Sequence, residues 1–526
     1  MQRGLVGDQY FSFGILSIKK DQINPLGKPA DHLHILAMTL DKIGVTVVLL
    51  LLFANSTTAE DHIPASFKVD QIEGLHYACD NTTAPQNHFI YCSGRILQAV
   101  QAFKLFEDSK TFVDKPMKYS PLEVLQKFEE RFPEDENITK EALQEFVDEN
   151  FEGTCHELAD CELEDWNPNP PSFKDIANQD YFKWATGLND IWKKLCRKMN
   201  PEIKNAPERY SLIYVEHPFV VPGGRFREFY YWDSYWTIKG LLVSGMYKTV
   251  EHMLMNFASM VEQYGMIPNG GRVYYLTRSQ PPLLAGMFLE YYKASGNKKF
   301  VEKYLPVLEK EFQFWNSSRR VDVKLKSGET HSVFQYRADS DAPRPESFRE
   351  DVEIIKQLTS DSKKKTVWKD LASAAESGWD FSSRWFADKL SLATIETTNV
   401  VPVDLNAYIC WNLKILRQFH DEISGNKEKV DQFGKLLDAH RSALQAVFFV
   451  DNENQTGWFD YNLRSEVHNF EFYPSSVTPL FTKVVENLGA EMEEKIYNNM
   501  KLKGAFSEDG GVPTRLRKKP RNRIAF

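Results

Sequence analysis

The 526-residue sequence lacks the short signatures of several common chemistries. It has no His-Glu-x-x-His pair and its 12 histidines are scattered, so a zincin-type metal centre is excluded. Asp339-Ser-Asp341 imitates the start of a calcium loop, but the glycine and closing glutamate at EF-hand spacing are absent. Gly270-Gly271 is not followed by a Walker lysine, and no Gly-x-Ser-x-Gly elbow occurs. Basic charge is also short: 64 Lys and Arg against 73 Asp and Glu leave a net charge of −9. A nucleic-acid partner is therefore not expected, because phosphate binding needs concentrated Lys and Arg. With these absences no cofactor and no metal are expected, and carboxylate chemistry remains.

Apolar runs long enough to span a bilayer are missing too. The longest, Ile43–Ala54, is twelve residues, the length of the apolar part of a signal peptide. Lys42 precedes it, Ala54 ends it, Ala59 follows it, and Met38 lies just upstream, so 38–59 reads as a signal-like segment and 1–37 as an N-terminal extension. A buried strand is the competing reading of the run. Asn81, Asn137, Asn316 and Asn454 each open an Asn-x-Ser/Thr sequon, which adds to an expectation of secretion or an extracellular position. The six cysteines contain no Cys-x-x-Cys pair. In an oxidising compartment Cys79 with Cys92 and Cys155 with Cys161 are the sequence-near candidates for bridges, although spacing does not fix connectivity. Membrane association is left open by the sequence.

What is present is mainly helical periodicity. Apolar residues recur at three and four over 121–132, 139–150, 179–198, 235–264, 281–295, 298–318, 368–376, 402–424 and 427–449. Strand patterns are few and short, at 209–215, 331–336 and 458–461. Paired helices without a low-complexity linker predict an all-α protein, either a bundle or an α/α toroid whose loops converge on a pocket. Polar loops lie at 264–280, 336–346 and 376–385.

Residues 222–236, PGGRFREFYYWDSYW, interleave arginines and acids with aromatic rings. Such a stretch suits a neutral polyhydroxylated ligand: guanidinium and carboxylate groups make paired hydrogen bonds to adjacent hydroxyls, and rings cover apolar faces. The plainer reading is an aromatic-rich helix start with Arg225 and Glu228 paired at the surface. Glycoside hydrolysis needs a carboxylic acid for the leaving oxygen and a carboxylate to activate water. Asp380 is the best acid candidate, because Trp379 and Phe381 flank it with apolar surface that would raise its pKa by desolvation. Its plainer reading is a cap for a helix starting near Ser382.

Taken together, PGGRFREFYYWDSYW closely resembles the first signature of the trehalases, glycoside hydrolase family 37. IPNGGRVYYLTRSQPP at 267–282, RPES at 344–347 and ESGWDFSSRW at 376–385 resemble further segments of that family in the same order. The resemblance covers roughly 75–514 and is closest in kind to secreted animal, especially insect, members. It implies an (α/α)6 barrel over 60–514 and inverting hydrolysis of α,α-trehalose to glucose. It also implies substrate-binding positions at Arg225, Trp232, Asp233, Asn269, Arg278, Gln280, Arg344, Glu346 and Gly378, with Asp380 as general acid.

The likeness departs from the family after Thr514. Family members continue into a second signature with a Gln-Trp-Asp core and, farther on, the glutamate that activates water. Here RLRKKPRNRIAF follows, with six basic residues between Arg515 and Arg523, and no residue matches that base. The expectation is a barrel incomplete at this end and a chain of weak activity, the alternative being a catalytically impaired trehalose-binding form.

Overall fold

The computed structural model describes residues 62–133, 138–154 and 156–514. The extension 1–37, the signal-like segment 38–59, the basic segment 515–526, Asn137 and Cys155 lie outside the described residues.

Helices dominate. They comprise α1 (Arg95–Ala102), α2 (Pro121–Arg131), α3 (Lys140–Asn150), α4 (Gln179–Leu195), α5 (Asp233–Val243), α6 (Tyr247–Tyr264), α7 (Leu284–Ser295), α8 (Lys298–Ser318), α9 (Asp361–Glu376), α10 (Val403–Phe419), α11 (Lys427–Phe448) and α12 (Ala490–Leu502), with shorter turns between them. Their starts follow local chemistry. Ser120, Thr139, Asn178, Asn297 and Asn426 each accept a hydrogen bond from a backbone N–H of the first turn, satisfying donors that the helix leaves unpaired. Glycines in the left-handed region, Gly265 at φ +78° and Gly296 at φ +66°, stop α6 and α7.

The periodicity over 235–264 predicts one helix, but the structure has two. Gly245 at φ +75° takes a conformation that an α-helix cannot contain, and it separates α5 from α6. The strand expected at 209–215 is also absent. Its residues run beside the 271–273 loop, where the Ile213 N–H donates to the Gly271 carbonyl and the Val273 N–H to the Ser211 carbonyl. Only the single bridge Leu212–Arg272 forms, because the loop turns into a 3-10 helix at Val273–Tyr275. The 331–336 expectation becomes a strand at Thr330–Phe334, paired with Arg320–Lys324 in a hairpin. That at 458–461 splits into Thr456–Trp458 and Tyr461–Asn462.

Helices consecutive in sequence pack against one another, as α5 does on α6, α6 on α7, α7 on α8 and α10 on α11, while α10 also lies against α7 and α8. Almost every side chain of α10 is buried, as expected of a helix enclosed by others. Trp315, Trp368, Trp385 and Trp458 are completely enclosed in the continuous core. This all-α, helix-paired arrangement is the one expected of an (α/α)6 barrel. Among the described residues no helix is long and apolar enough to cross a membrane.

Among the described residues two disulfides tie the chain. Cys79–Cys92 is as expected, but Cys161 pairs with Cys196, 35 residues away, rather than with Cys155. Antiparallel pairing of Leu158–Asp160 with Cys196–Met199 brings Cys161 and Cys196 side by side, a juxtaposition that sequence spacing does not reveal.

Candidate active site

The loops after or before α5, α7 and α9 place most of the candidate residues together. Asp233 opens α5, directly after Trp232. The Tyr231 N–H donates to the Asn269 carbonyl, which fixes the start of this helix against the 269–280 loop. Trp232 is held from the same side, its backbone N–H donating to Gln280 Oε1 at 3.1 Å. Asn269 and Arg278 are joined twice, by a backbone bond and by Arg278 Nε donating to Asn269 Oδ1 at 2.9 Å.

Arg278 then reaches the third loop, its Nη2 donating to Glu346 Oε1 at 2.6 Å. Both side chains are nearly inaccessible, yet Arg278 Nη1 and Glu346 Oε2 have no hydrogen-bond partner. Buried polar atoms are almost always paired, so these two atoms are candidates for a bond to a group from outside the protein. The nearby charges of Arg278 and Arg344 overcome the cost of burial and hold the Glu346 carboxyl below its ordinary value. Arg344 is gripped by Asp351, with Nε donating to Oδ2 at 2.8 Å and Nη2 to Oδ1 at 2.6 Å. Burial opposes its charge, but the Asp351 carboxylate more than offsets this and keeps the guanidinium protonated.

Gly378 lies two residues beyond the C-terminal end of α9. At φ +70° it turns the chain, and a Cβ there would come within 2.6 Å of the Trp232 ring. The absence of a side chain thus lets the Asp380 loop close on the indole. Asp380 is open to water, but protein surrounds it deeply enough to desolvate it. Desolvation raises its pKa, Arg344 and Arg278 oppose the rise, and Glu346 adds to it. Asp233 is raised to about 6, chiefly by burial and further by the charge of Asp380. These mutual effects bring the 233, 278, 344–346 and 380 positions into one electrostatic unit.

Arg225 is not part of that tightly bonded set. Its side chain is 42% exposed and pairs with Asp108 at 2.8 Å. The surface pair of Arg225 with Glu228 does not form either: Glu228 is wholly buried, and Lys110 and Arg272 override the effect of burial to hold it at about 2. Nor does Asp380 cap a helix, since Ser382 receives the Arg384 N–H at the turn that follows.

Sequence reasoning gave no role to two carboxylates that organise the site, Asp351 under Arg344 and Glu376 at the end of α9. Glu376 opens the quoted ESGWDFSSRW segment, and its place at the joint between helix and loop was the available signal. Among the described residues no group of three His, Cys, Asp or Glu side chains is placed to hold a metal ion.

Guanidinium, carboxylate and amide groups thus surround an accessible, desolvated aspartic acid, with an indole alongside. The Trehalase family profile matches residues 104–522. The chain is 42% identical over 435 residues to a trehalase of Homo sapiens, covering 82% of this chain and 73% of that protein. It is 40% identical over 441 residues to a trehalase of Apis mellifera, covering 82% and 70%. Among solved structures, the neutral trehalase Nth1 of Saccharomyces cerevisiae aligns at a TM-score of 0.46 and 20% identity over 57% of each chain. From the profile and the two sequence relatives, the chain belongs to the trehalase family.

Proposed function

We propose that the protein hydrolyses α,α-trehalose to two molecules of glucose by an inverting mechanism in which Asp380 protonates the departing glycosidic oxygen while water attacks the anomeric carbon from the opposite face. The carboxylate that takes the water's proton is not among the residues matched to the family. The observation that carries this reading is the convergence on Asp380 of Arg278, Arg344 and Glu346, in a chain of the trehalase family. A carboxyl raised by desolvation keeps its proton into the pH range where it can pass it to a departing glycosidic oxygen. Arg278 Nη1 and Glu346 Oε2, unpaired and adjacent, offer a donor and an acceptor to neighbouring sugar hydroxyls. Asn269, Gln280, Arg344 and Asp233 complete the polar lining, while Trp232 covers a ring face and Gly378 leaves room for it. Arg225, exposed and paired with Asp108, is assigned to the substrate from its place in the family's first signature.

The protein is secreted or faces the outside of the cell. Two disulfides support this, since such bridges persist in oxidising compartments, as do the sequons whose Asn81 and Asn454 are exposed. A mass decrease on enzymatic removal of N-glycans from protein recovered from culture medium is the expected result; an unglycosylated, cell-retained protein would overturn this part.

Incubation of the purified chain with trehalose, followed by NMR, tests the reaction. Inversion at the attacked carbon yields one β-glucose, and the departing unit is released as α-glucose. Binding of trehalose without glucose release would leave a binding protein, and faster cleavage of maltose would point to another glycosidase.

A further inference from the structure

We infer that Glu376 is a positioning residue for the reaction, a buried carboxylate that locks the Arg278–Gln280 segment and the 337–338 segment to the end of the helix from which the Asp380 loop departs. The inference rests on the trehalase reading of the site.

Glu376 is the last residue of α9, four before Asp380, and has no exposed surface. Its Oε1 accepts the Ser279 N–H at 2.9 Å, and Ser279 lies between Arg278 and Gln280. Its Oε2 accepts the Arg337 N–H at 2.8 Å. One turn earlier on α9, Ser373 Oγ accepts the Ala338 N–H at 3.0 Å. Arg319, equally enclosed, closes the arrangement by donating Nη2 to Oε1 at 2.9 Å and Nε to Oε2 at 3.1 Å. A single carboxylate therefore receives two backbone donors from two loops and a guanidinium fork. A carboxamide could not replace it, because its one oxygen would accept at one side and its NH2 would face donors at the other.

The consequence is geometric. Arg278 pairs with Glu346 and acts electrostatically on Asp380, so a shift of the 278–280 segment changes both. A misplacement of about 1 Å in such a site can cost about 100-fold in rate.

The test compares the full chain with its Glu376→Gln and Glu376→Asp variants by peptide-level hydrogen exchange, which needs no substrate, and by trehalose kinetics against pH. In Glu376→Gln, faster exchange is expected in peptides spanning 276–282 and 336–339, with protection kept elsewhere. Its kcat should fall about 100-fold with a smaller change in KM. The alkaline limb of kcat/KM should move to higher pH, because Arg278 recedes from Asp380. Glu376→Asp, which keeps both acceptor oxygens and the charge, should recover part of the rate, and it carries the test if the Gln variant does not fold. Unchanged local exchange in the folded variants, or a lowered melting temperature with wild-type kcat and pH profile, would overturn the inference. Absence of trehalose turnover by the parent chain would instead overturn the functional reading, leaving local exchange to decide the role of Glu376.

Discussion

Arg278 and Glu346 meet through one 2.6 Å contact and leave Nη1 and Oε2 buried with no partner. Each of the two groups thus keeps one polar atom that the protein leaves unpaired. Arg278→Lys keeps the charge and removes the fork. A drop of about 10- to 100-fold in kcat/KM for trehalose is expected, the worth of a hydrogen bond to a charged group, beside a lowered melting temperature from the lost bond to Asn269. Steady-state kinetics beside a thermal melt separates the two effects.

Asp380 supplies a second expectation, tied to pH. Burial raises its pKa, so the fall of kcat/KM on the alkaline side should lie above the ordinary aspartate range. Asp380→Asn should remove that limb and lower kcat by about 10² to 10⁴, while trehalose binding measured by calorimetry is retained. An Asn variant with an unshifted limb would assign the acid to another group.

Most of the helical framework was legible in the sequence because its signals are local. Apolar spacing at three and four is read from a few neighbouring residues. The Asp380 shift was legible for the same reason, since Trp379 and Phe381 are its chain neighbours. What escaped was non-local. The plainer reading of 222–236 puts Glu228 at the surface, but Lys110, 118 residues away, and Arg272 draw it into the interior. Asp351 and Glu376 look like any helix acids until distant loops deliver their donors. Helix α12 was missed because its few apolar positions, Met492, Ile496 and Met500, are diluted by glutamates and lysines.

The Cys161–Cys196 bridge should matter more to stability than to chemistry, as it lies in a sheet apart from the Asp380 loop. Closing a 35-residue separation removes unfolded-state freedom. Cys196→Ser should therefore lower stability by about 2–4 kcal/mol. Denaturant melts with and without reductant check this, and the reductant sensitivity that remains should belong to Cys79–Cys92.

Asp233 links function to stability with a definite sign. Its pKa rises from 3.8 to about 6 on folding, so the folded state holds the proton more tightly. Its contribution is fully present below the unfolded value and is lost as pH climbs through about 6. Asp233→Asn, which mimics the protonated acid, should stabilise the protein by up to about 3 kcal/mol at pH 7. The gain should vanish near pH 3, below the unfolded value, because the acid is then protonated in both states. Melting temperatures at the two pH values test the sign, and weaker trehalose binding is expected at both.

Gly378 should tolerate no side chain. At φ +70° an alanine is strained, and its Cβ would press on the Trp232 indole at 2.6 Å. The conformational term costs about 1–2 kcal/mol, and forcing a methyl into a filled space costs about 1–3 kcal/mol more. The two add because backbone adjustment that relieves one displaces the Asp380 loop, and movement of the indole that relieves the other uncovers the proposed sugar face. Gly378→Ala should therefore lower the melting temperature and weaken trehalose binding together. Trp232→Phe in the same chain is expected to relieve the clash and recover stability without recovering affinity. A Gly378→Ala protein with parental affinity would show that the contact between glycine and indole shapes only the core.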